Sequence, residues 1–117
     1  MSDISAERKK ELKRAYAERK PDMGVFCIRC DATNDHFLGI CHDYTADVNS
    51  HFARLGSFLH PSKDLLALYR TYGRNAFTAS LSERLDYIDG QNDYTEELKI
   101  LLLLKLEENP NAKELSR

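Results

Sequence analysis

The chain has 117 residues, a formal net charge of −2, and a composition that is 42% hydrophobic and 31% charged. This length accommodates one domain with a real core, and the composition is ordinary for a soluble globular protein. A nearly neutral chain has no global positive field, so binding to nucleic acid requires a local basic patch. The longest apolar run has five residues, 100–104, against the roughly 20 of a membrane-spanning helix. With no secretory type of amino terminus, we expect a cytoplasmic protein without a membrane partner.

Three cysteines, an odd number, argue against a disulfide framework in a chain without a signal peptide. Cys27 and Cys30 have the CxxC spacing of many metal and redox sites. On one extended strand, however, residues three apart point to opposite faces, so these two thiolates cannot share an ion. We therefore interpret them as free thiols in or near the core.

Residues 4–20 form the first predicted helix. They are rich in strong helix formers, and their apolar side chains, Leu12, Ala15 and Tyr16, recur at helical spacing. The first twenty residues carry seven Lys or Arg against four Asp or Glu, which makes them the most basic part of the chain. This charge indicates either a solvated helix face or a surface that contacts phosphates. Pro21 ends the helix.

A β-hairpin is predicted next, from two short apolar runs at residues 24–30 and 37–41. The polar residues 31–36 between them predict a six-residue loop. Gly24 and Gly39 lack a side chain at positions where a neighbouring strand or a ligand can approach the backbone closely.

Two helices follow the hairpin. Residues 43–56 predict an amphipathic helix capped by Asp43 or Thr45, and residues 62–72 predict a second helix that begins at Ser62. Three polar or charged side chains share one flank of the first of these helices: Asp47, His51 and Arg54. We expect a catalytic or binding site to lie on that flank.

Residues 76–83 alternate apolar and polar side chains, which is the period of a half-buried strand. A polar linker at 84–92 leads to a last helix at 93–108, whose apolar residues 100–104 predict that it is the most buried helix. The predicted order α-β-β-α-α-β-α describes an α+β fold, a three-stranded sheet with helices packed on it. We expect one domain over the whole chain, with its core at about 24–108.

Several short motifs resemble the GIY-YIG nuclease domain as it occurs in small bacterial proteins. They begin with Gly24-Val25-Phe26 and Phe37-Leu38-Gly39 in the hairpin, and they continue with Asn49 and His51 on the next helix. Later segments extend the resemblance to about residues 8–109: 60–65, Tyr72-Gly73, Phe77 and 81–83. The resemblance implies the same α+β layout.

Members of that family hydrolyse a DNA phosphodiester with one divalent metal, Mg²⁺ or Mn²⁺, two tyrosines, an arginine and a metal-binding glutamate. By resemblance, the tyrosine positions fall on Phe26 and Phe37, the arginine position on Asp47 and the glutamate on Glu83, while His51 matches a residue often found in the family. Loss of a tyrosine hydroxyl that moves a proton costs about 10²–10⁴ in rate. An anion in place of the arginine removes an electrostatic stabiliser, at a cost of roughly 10²–10³.

Three hypotheses follow. The favoured one is a catalytically degenerate domain that binds nucleic acid, such as DNA, or another protein. The second is a metal-dependent endonuclease with a rearranged site, in which a divalent ion is held by four side chains: His42, Asp47, His51 and Glu83. The third is a structural or oligomerising domain that makes contact through its last helix.

Other polar side chains leave alternatives open. Three arginines form either a modest phosphate patch or an ordinary scatter of surface charge: Arg54, Arg70 and Arg74. His36 is interpreted as a hairpin-loop residue and His60 as part of the turn before the helix at 62–72, each with a structural role.

Overall fold

The computed structural model describes residues 20–115. The predicted first helix therefore falls outside the described residues, apart from its last position. Within residues 20–115, no helix has the length and hydropathy needed to cross a lipid bilayer. The described elements are, in chain order: β1 (Gly24–Cys30), β2 (Asp35–Cys41), α1 (Tyr44–Gly56), α2 (Lys63–Tyr72), a 3₁₀ turn (Arg74–Ala76), β3 (Phe77–Arg84), α3 (Thr95–Glu108) and β4 (Lys113–Glu114).

The predicted α+β fold is confirmed, but the sheet has four strands where three were predicted. Its order is β3-β1-β2-β4, with β1 antiparallel to both of its neighbours and β4 parallel to β2. The added strand has only two residues, both charged, so it carries no hydrophobic period that a sequence pattern could reveal. It is held in place by Leu115, whose side chain is buried and whose N–H donates to the Leu38 carbonyl at 2.7 Å.

The hairpin loop is shorter than predicted. It spans residues 31–34, and β2 begins at Asp35, so His36 lies in the strand opposite Arg29 and not in the loop. The difference comes from Asn34, which adopts a left-handed conformation with φ of 62° and donates its N–H to the Cys30 carbonyl at 2.7 Å. Asparagine tolerates this conformation, which closes the loop two residues early.

The close approaches predicted at two glycines are made by the protein itself. A Cβ on Gly24, which has φ of 153°, would overlap the carbonyl oxygen of Glu83 in the neighbouring strand β3. A Cβ on Gly39 would lie 2.7 Å from ring carbons of Phe26. Of the two alternatives, strand and side-chain packing therefore accounts for both positions.

Local capping sets the ends of the first two helices as predicted. Of the two candidate caps of α1, Asp43 is the one used, and its carboxylate accepts the Ala46 N–H at 3.2 Å. Ser62 caps α2 by accepting the Leu65 N–H at 3.3 Å, and the helix ends at Gly73. A short side-chain acceptor before the first turn fixes the start of each helix, and a glycine after the last turn fixes the end of α2.

The sheet has helices on both faces. One face packs against α1 and α2 through a cluster of buried side chains: Phe26, Ile28, Cys30, Phe37, Cys41, Val48, Leu55, Leu65, Phe77 and Leu115. The other face packs against α3 through Val25, Leu38 and Leu102. Cys27 joins the α3 side and Cys30 the α1 side, so the prediction that these two thiols point to opposite faces is confirmed. All three cysteines are free.

The prediction that the last helix is the most buried one is wrong. Leu98 and Leu102 are buried against the sheet, but Ile100, Leu103 and Leu104 are 56%, 60% and 50% exposed. A helix packed on one face of a sheet buries only one side, and an apolar run that continues around the helix does not change that. The described structure therefore contains an apolar helix surface that faces outward.

Candidate functional site

The predicted flank of α1 lines a pocket of about 260 Å³ beside the edge of the sheet. Spacings of four and three residues place the predicted side chains on one side of the helix. The lining residues are Ile40, Asp47, Ser50, His51 and Arg54. The pocket lies beside the part of β2 that follows Leu38. This part does not pair with β4, because β4 pairs only with Phe37 and Leu38. An α1 flank and a free part of β2 thus form one concavity.

A pair of buried histidines lies behind the pocket. His51 Nδ1 and His60 Nε2 are 2.8 Å apart, and the two side chains are 4% and 5% exposed. The Ser62 N–H donates to His60 Nδ1 at 3.0 Å, so this nitrogen is an acceptor and the ring proton lies on Nε2. His60 therefore donates to His51. Burial, followed by the nearby Arg54 cation, lowers the pKa of His60 and favours its neutral form.

Arg54 completes this hydrogen-bonded group. Its Nη2 lies 3.2 Å from His51 Nδ1, and its Nε lies 3.5 Å from the Ser50 carbonyl oxygen. Since a guanidinium can only donate, both neighbours of His51 Nδ1 direct donors at it. A neutral His51 consequently carries its proton on Nε2. The ring also packs on Phe26, with the ring centroids 5.0 Å apart.

His60 was predicted only as a turn residue, and its pairing with His51 was not predicted. The two histidines are nine positions apart and belong to different elements, and no spacing rule connects them. The turn between α1 and α2 brings them together.

Asp47, at the position that resembles the family arginine, stabilises the start of α1. Its Oδ2 accepts the backbone N–H of His42 at 3.0 Å and that of Asp43 at 3.3 Å. A carboxylate near a helix amino terminus also interacts favourably with the helix dipole. Burial, reinforced by the Asp47 charge, raises the pKa of the neighbouring Cys41 thiol to about 11. Asp47 thus lines the pocket but already has hydrogen-bond donors.

The two phenylalanines assigned by resemblance to the family tyrosine positions are core residues. Phe26 and Phe37 are each 1% exposed and belong to the cluster between the sheet, α1 and α2. Phe26 contacts the His51 ring. Neither aromatic ring offers an oxygen for proton transfer.

Glu83 is not part of the pocket. Its Oε2 lies 3.1 Å from Lys105 Nζ on α3, so its side chain is on the face of the sheet opposite α1. Its strand, β3, is separated from β2 by β1, which corresponds to about 10 Å at normal strand spacing. The predicted convergence of Glu83 with the α1 side chains is therefore not found.

The residues present do not fit a divalent metal. Mg²⁺ and Mn²⁺ require several oxygen ligands around one point. Asp47 accepts two backbone N–H groups, and Glu83 pairs with Lys105 on the other face. Across residues 20–115, no group of three or more His, Cys, Asp or Glu side chains is arranged to hold a metal ion.

The three arginines of the predicted phosphate patch each contact different groups. Arg54 lines the pocket. The Arg70 guanidinium lies over the Phe58 ring at 4.8 Å, and Arg74 lies over the Phe52 ring at 3.7 Å. Arg74 also donates to a backbone carbonyl at 3.1 Å. Arg54 thus combines a guanidinium with a concave surface.

Comparison with known proteins places the fold. No family model matches the sequence, and no curated protein sequence matches it. A solved structure of the catalytic domain of intron endonuclease I-TevI, in a mutant form, matches with a TM-score of 0.66 and 20% identity, over 79% of this chain and 91% of that one. A second structure, of the catalytic domain of homing endonuclease I-TevI, matches with a TM-score of 0.66 and 19% identity, over 81% of this chain and 99% of that one. The chain therefore has the fold of the GIY-YIG nuclease domain.

Proposed function

We propose that this domain binds a phosphate group of nucleic acid in the pocket beside α1, and that it does not hydrolyse the phosphodiester by the route of the GIY-YIG nucleases. The fold is that of a nuclease domain, which supports a nucleic-acid ligand. The observation that carries the proposal is Arg54, a guanidinium that lines the pocket and is held there by His51 and by the Ser50 carbonyl.

The pocket has the donors that a phosphate requires. A guanidinium binds phosphate oxygens through two parallel hydrogen bonds, and a hydroxyl donates a third. Arg54 and Ser50 supply these groups. The Asp47 carboxylate opposes an anion, but two backbone N–H groups and the helix dipole compensate part of its charge. The donors and the fold together favour a phosphodiester over an acidic peptide.

The side chains that usually catalyse hydrolysis in GIY-YIG nucleases are missing from this site. Phe26 and Phe37 have no hydroxyl, and Asp47 is an anion at the position of the family arginine. The tautomer of His51 has its acceptor nitrogen occupied by His60 and Arg54, so no vacant base remains on that ring. Each missing group lowers the rate by about 10²–10⁴, although losses within one catalytic unit do not add simply.

One observation favours a second candidate, an endonuclease with a rearranged site. A histidine oriented by a buried hydrogen-bonding partner is the arrangement that hydrolytic enzymes use for a general base. His51 and His60 form such a pair. This candidate requires the opposite tautomers of both rings, in which His51 Nδ1 donates to His60 Nε2 and His51 Nε2 acts as the base.

Binding is tested by the fluorescence anisotropy of labelled DNA and RNA oligonucleotides between about 50 and 200 mM salt. We expect Arg54→Ala to weaken binding about 10- to 100-fold and to lower the salt slope by about one unit. Arg84→Ala is the matched control, because Arg84 is an exposed arginine on β3, away from the pocket. Equal losses for both variants, or no binding by the unmodified chain, contradict the proposal.

Cleavage is tested on the same preparations with supercoiled plasmid and Mg²⁺ or Mn²⁺. The proposal predicts that the plasmid stays intact under conditions in which it is bound. Nicking that disappears in His51→Ala, and persists in the half-buried control His36→Ala, establishes the second candidate instead.

A further inference from the structure

The outward side of α3 carries an apolar surface bordered by charges. With about 100° of rotation per residue, the side opposite the buried Leu98 and Leu102 presents a small group that we call the α3 outer face. Its members, all exposed, are Glu96, Lys99, Ile100, Leu103, Leu104 and Glu107. The three apolar members expose half or more of their surface. Within residues 20–115, nothing covers them.

We propose that the α3 outer face binds the same face of a second copy of this chain, with the two helices antiparallel. A twofold contact requires a self-complementary surface, because each position meets its symmetry partner. Lys99 lies four residues before Leu103, and Glu107 lies four residues after it. In an antiparallel pair centred on Leu103, Lys99 of one copy faces Glu107 of the other, and this happens twice.

The charges also favour this arrangement over a parallel pair and over a shifted antiparallel pair. In a parallel pair, Lys99 faces Lys99 and Glu107 faces Glu107, so like charges oppose each other on both sides. An antiparallel pair shifted to place Ile100 against Leu103 brings Glu96 of one α3 outer face opposite Glu107 of the other. Contacts between like charges disfavour a helix pairing, just as contacts between opposite charges favour one. The register centred on Leu103 avoids both conflicts.

One helix on each side makes a small interface. Stable dimers usually bury at least about 1,000 Å², so we expect a weak, concentration-dependent dimer with a dissociation constant in about the micromolar range. The α3 outer face points away from the sheet, whereas the pocket lies beside α1. Dimerisation is thus independent of the phosphate site, and either can fail without the other.

Sedimentation equilibrium over a range of protein concentrations tests the contact. The unmodified chain is expected to change from monomer to dimer, and Leu103→Glu is expected to remain a monomer, because it places two carboxylates at the twofold axis. Ile88→Glu is the matched control, since Ile88 is 56% exposed, close to the 60% of Leu103, but lies outside α3. A thermal denaturation curve for each variant verifies that it is folded, as expected for exposed positions.

Charge exchange tests the register. Lys99→Glu alone and Glu107→Lys alone are each expected to weaken the dimer about 2- to 30-fold or more, and the double exchange is expected to restore it. A chain that stays monomeric at every concentration, or a dimer that Leu103→Glu leaves unchanged, overturns the proposal. Single exchanges that weaken the dimer without recovery in the double variant overturn the antiparallel register.

Discussion

Asp47 lines the candidate pocket and also has a structural role at the start of α1. Removal of its side chain in Asp47→Ala leaves the N–H groups of His42 and Asp43 without their carboxylate acceptor. We expect the free energy of unfolding to fall by about 1 kcal/mol, the usual cost of losing such an acceptor at a helix amino terminus. Urea denaturation measures the change.

Two variants define the cause of this loss. Asp47→Asn keeps an acceptor oxygen and is expected to lose less stability than Asp47→Ala. Asp64→Ala removes an exposed carboxylate from the first turn of α2, where it pairs with Lys113 at 3.1 Å. Exposed pairs contribute about 0–1 kcal/mol. If Asp64→Ala and Asp47→Ala are equally destabilising, the structural role assigned to Asp47 is wrong.

Burial of His60 makes the stability of the domain depend on pH. Burial and Arg54 lower the pKa of His60 below its ordinary value of 6.5. Below about pH 6.5 the unfolded chain therefore binds more protons than the folded chain, and the free energy of unfolding decreases as the pH falls. One such proton changes this energy by at most about 1.4 kcal/mol per pH unit. Denaturation curves between about pH 7.5 and 5.5 measure the slope.

The pH dependence of the free energy of unfolding is expected to disappear when His60 is replaced. His60→Gln is expected to be less stable than the unmodified chain at pH 7 but to have a flatter pH dependence. Asn49→Ala, a change on the exposed side of α1, removes no titrating group and is expected to keep the original slope. A flat profile in the unmodified chain contradicts the assignment of His60 as the neutral, buried partner.

At the scale of an element, the hairpin depends on the contact between Gly39 and the Phe26 ring. The two residues face each other across β1 and β2, and a Cβ on Gly39 would lie 2.7 Å from the ring. Gly39→Ala therefore forces the ring or the strand to move, and we expect a loss of about 1–3 kcal/mol. Chemical denaturation measures it.

A double-mutant cycle identifies the steric cause. Phe26→Leu removes part of the ring, so Gly39→Ala is expected to cost less in that background than alone. Gly56→Ala is the control, because its Cβ would meet only the Tyr69 hydroxyl at 3.8 Å, at the end of α1. Additive losses in the cycle rule out a direct clash.

The elements that sequence analysis predicted correctly are those with local determinants. The start of α1 follows from Asp43, and the two ends of α2 follow from Ser62 and Gly73, which act on backbone groups of their own turns. The hairpin loop was predicted too long because Asn34 takes a left-handed conformation that its neighbours did not reveal. The burial of α3 was predicted too high because an apolar run does not indicate which side of the helix meets the sheet.

At the scale of the whole molecule, the candidate site also contains residues whose placement follows from local spacing and residues whose placement depends on the fold. The flank of Asp47, His51 and Arg54 was predictable, since helical spacing alone places these side chains together. Pairing of His51 with His60 was not, because it depends on the path of the turn between two helices. Glu83 was assigned by resemblance to a motif, and the strand order places it on the far edge of the sheet.

The sheet as a whole is completed by a segment that no sequence pattern predicted. Leu115 is 5% exposed and belongs to the cluster under α1 and α2, and its N–H bonds to the Leu38 carbonyl. We expect Leu115→Ala to lower the free energy of unfolding by about 2–5 kcal/mol, the range for truncating a buried leucine. The variant should also release β4 from the edge of β2.

Two measurements separate loss of packing from loss of the edge strand. Amide hydrogen exchange at residue 115 reports the bond to Leu38 directly, and it is expected to accelerate in Leu115→Ala even where the chain remains folded. Lys113→Ala, in β4 itself, removes only an exposed ion pair with Asp64 and should cost about 1 kcal/mol or less. Because an uncovered edge strand pairs readily with other chains, Leu115→Ala is further expected to aggregate at concentrations that the unmodified chain tolerates. If Lys113→Ala matches Leu115→Ala in both stability and exchange, then the ion pair and not the buried leucine holds this edge.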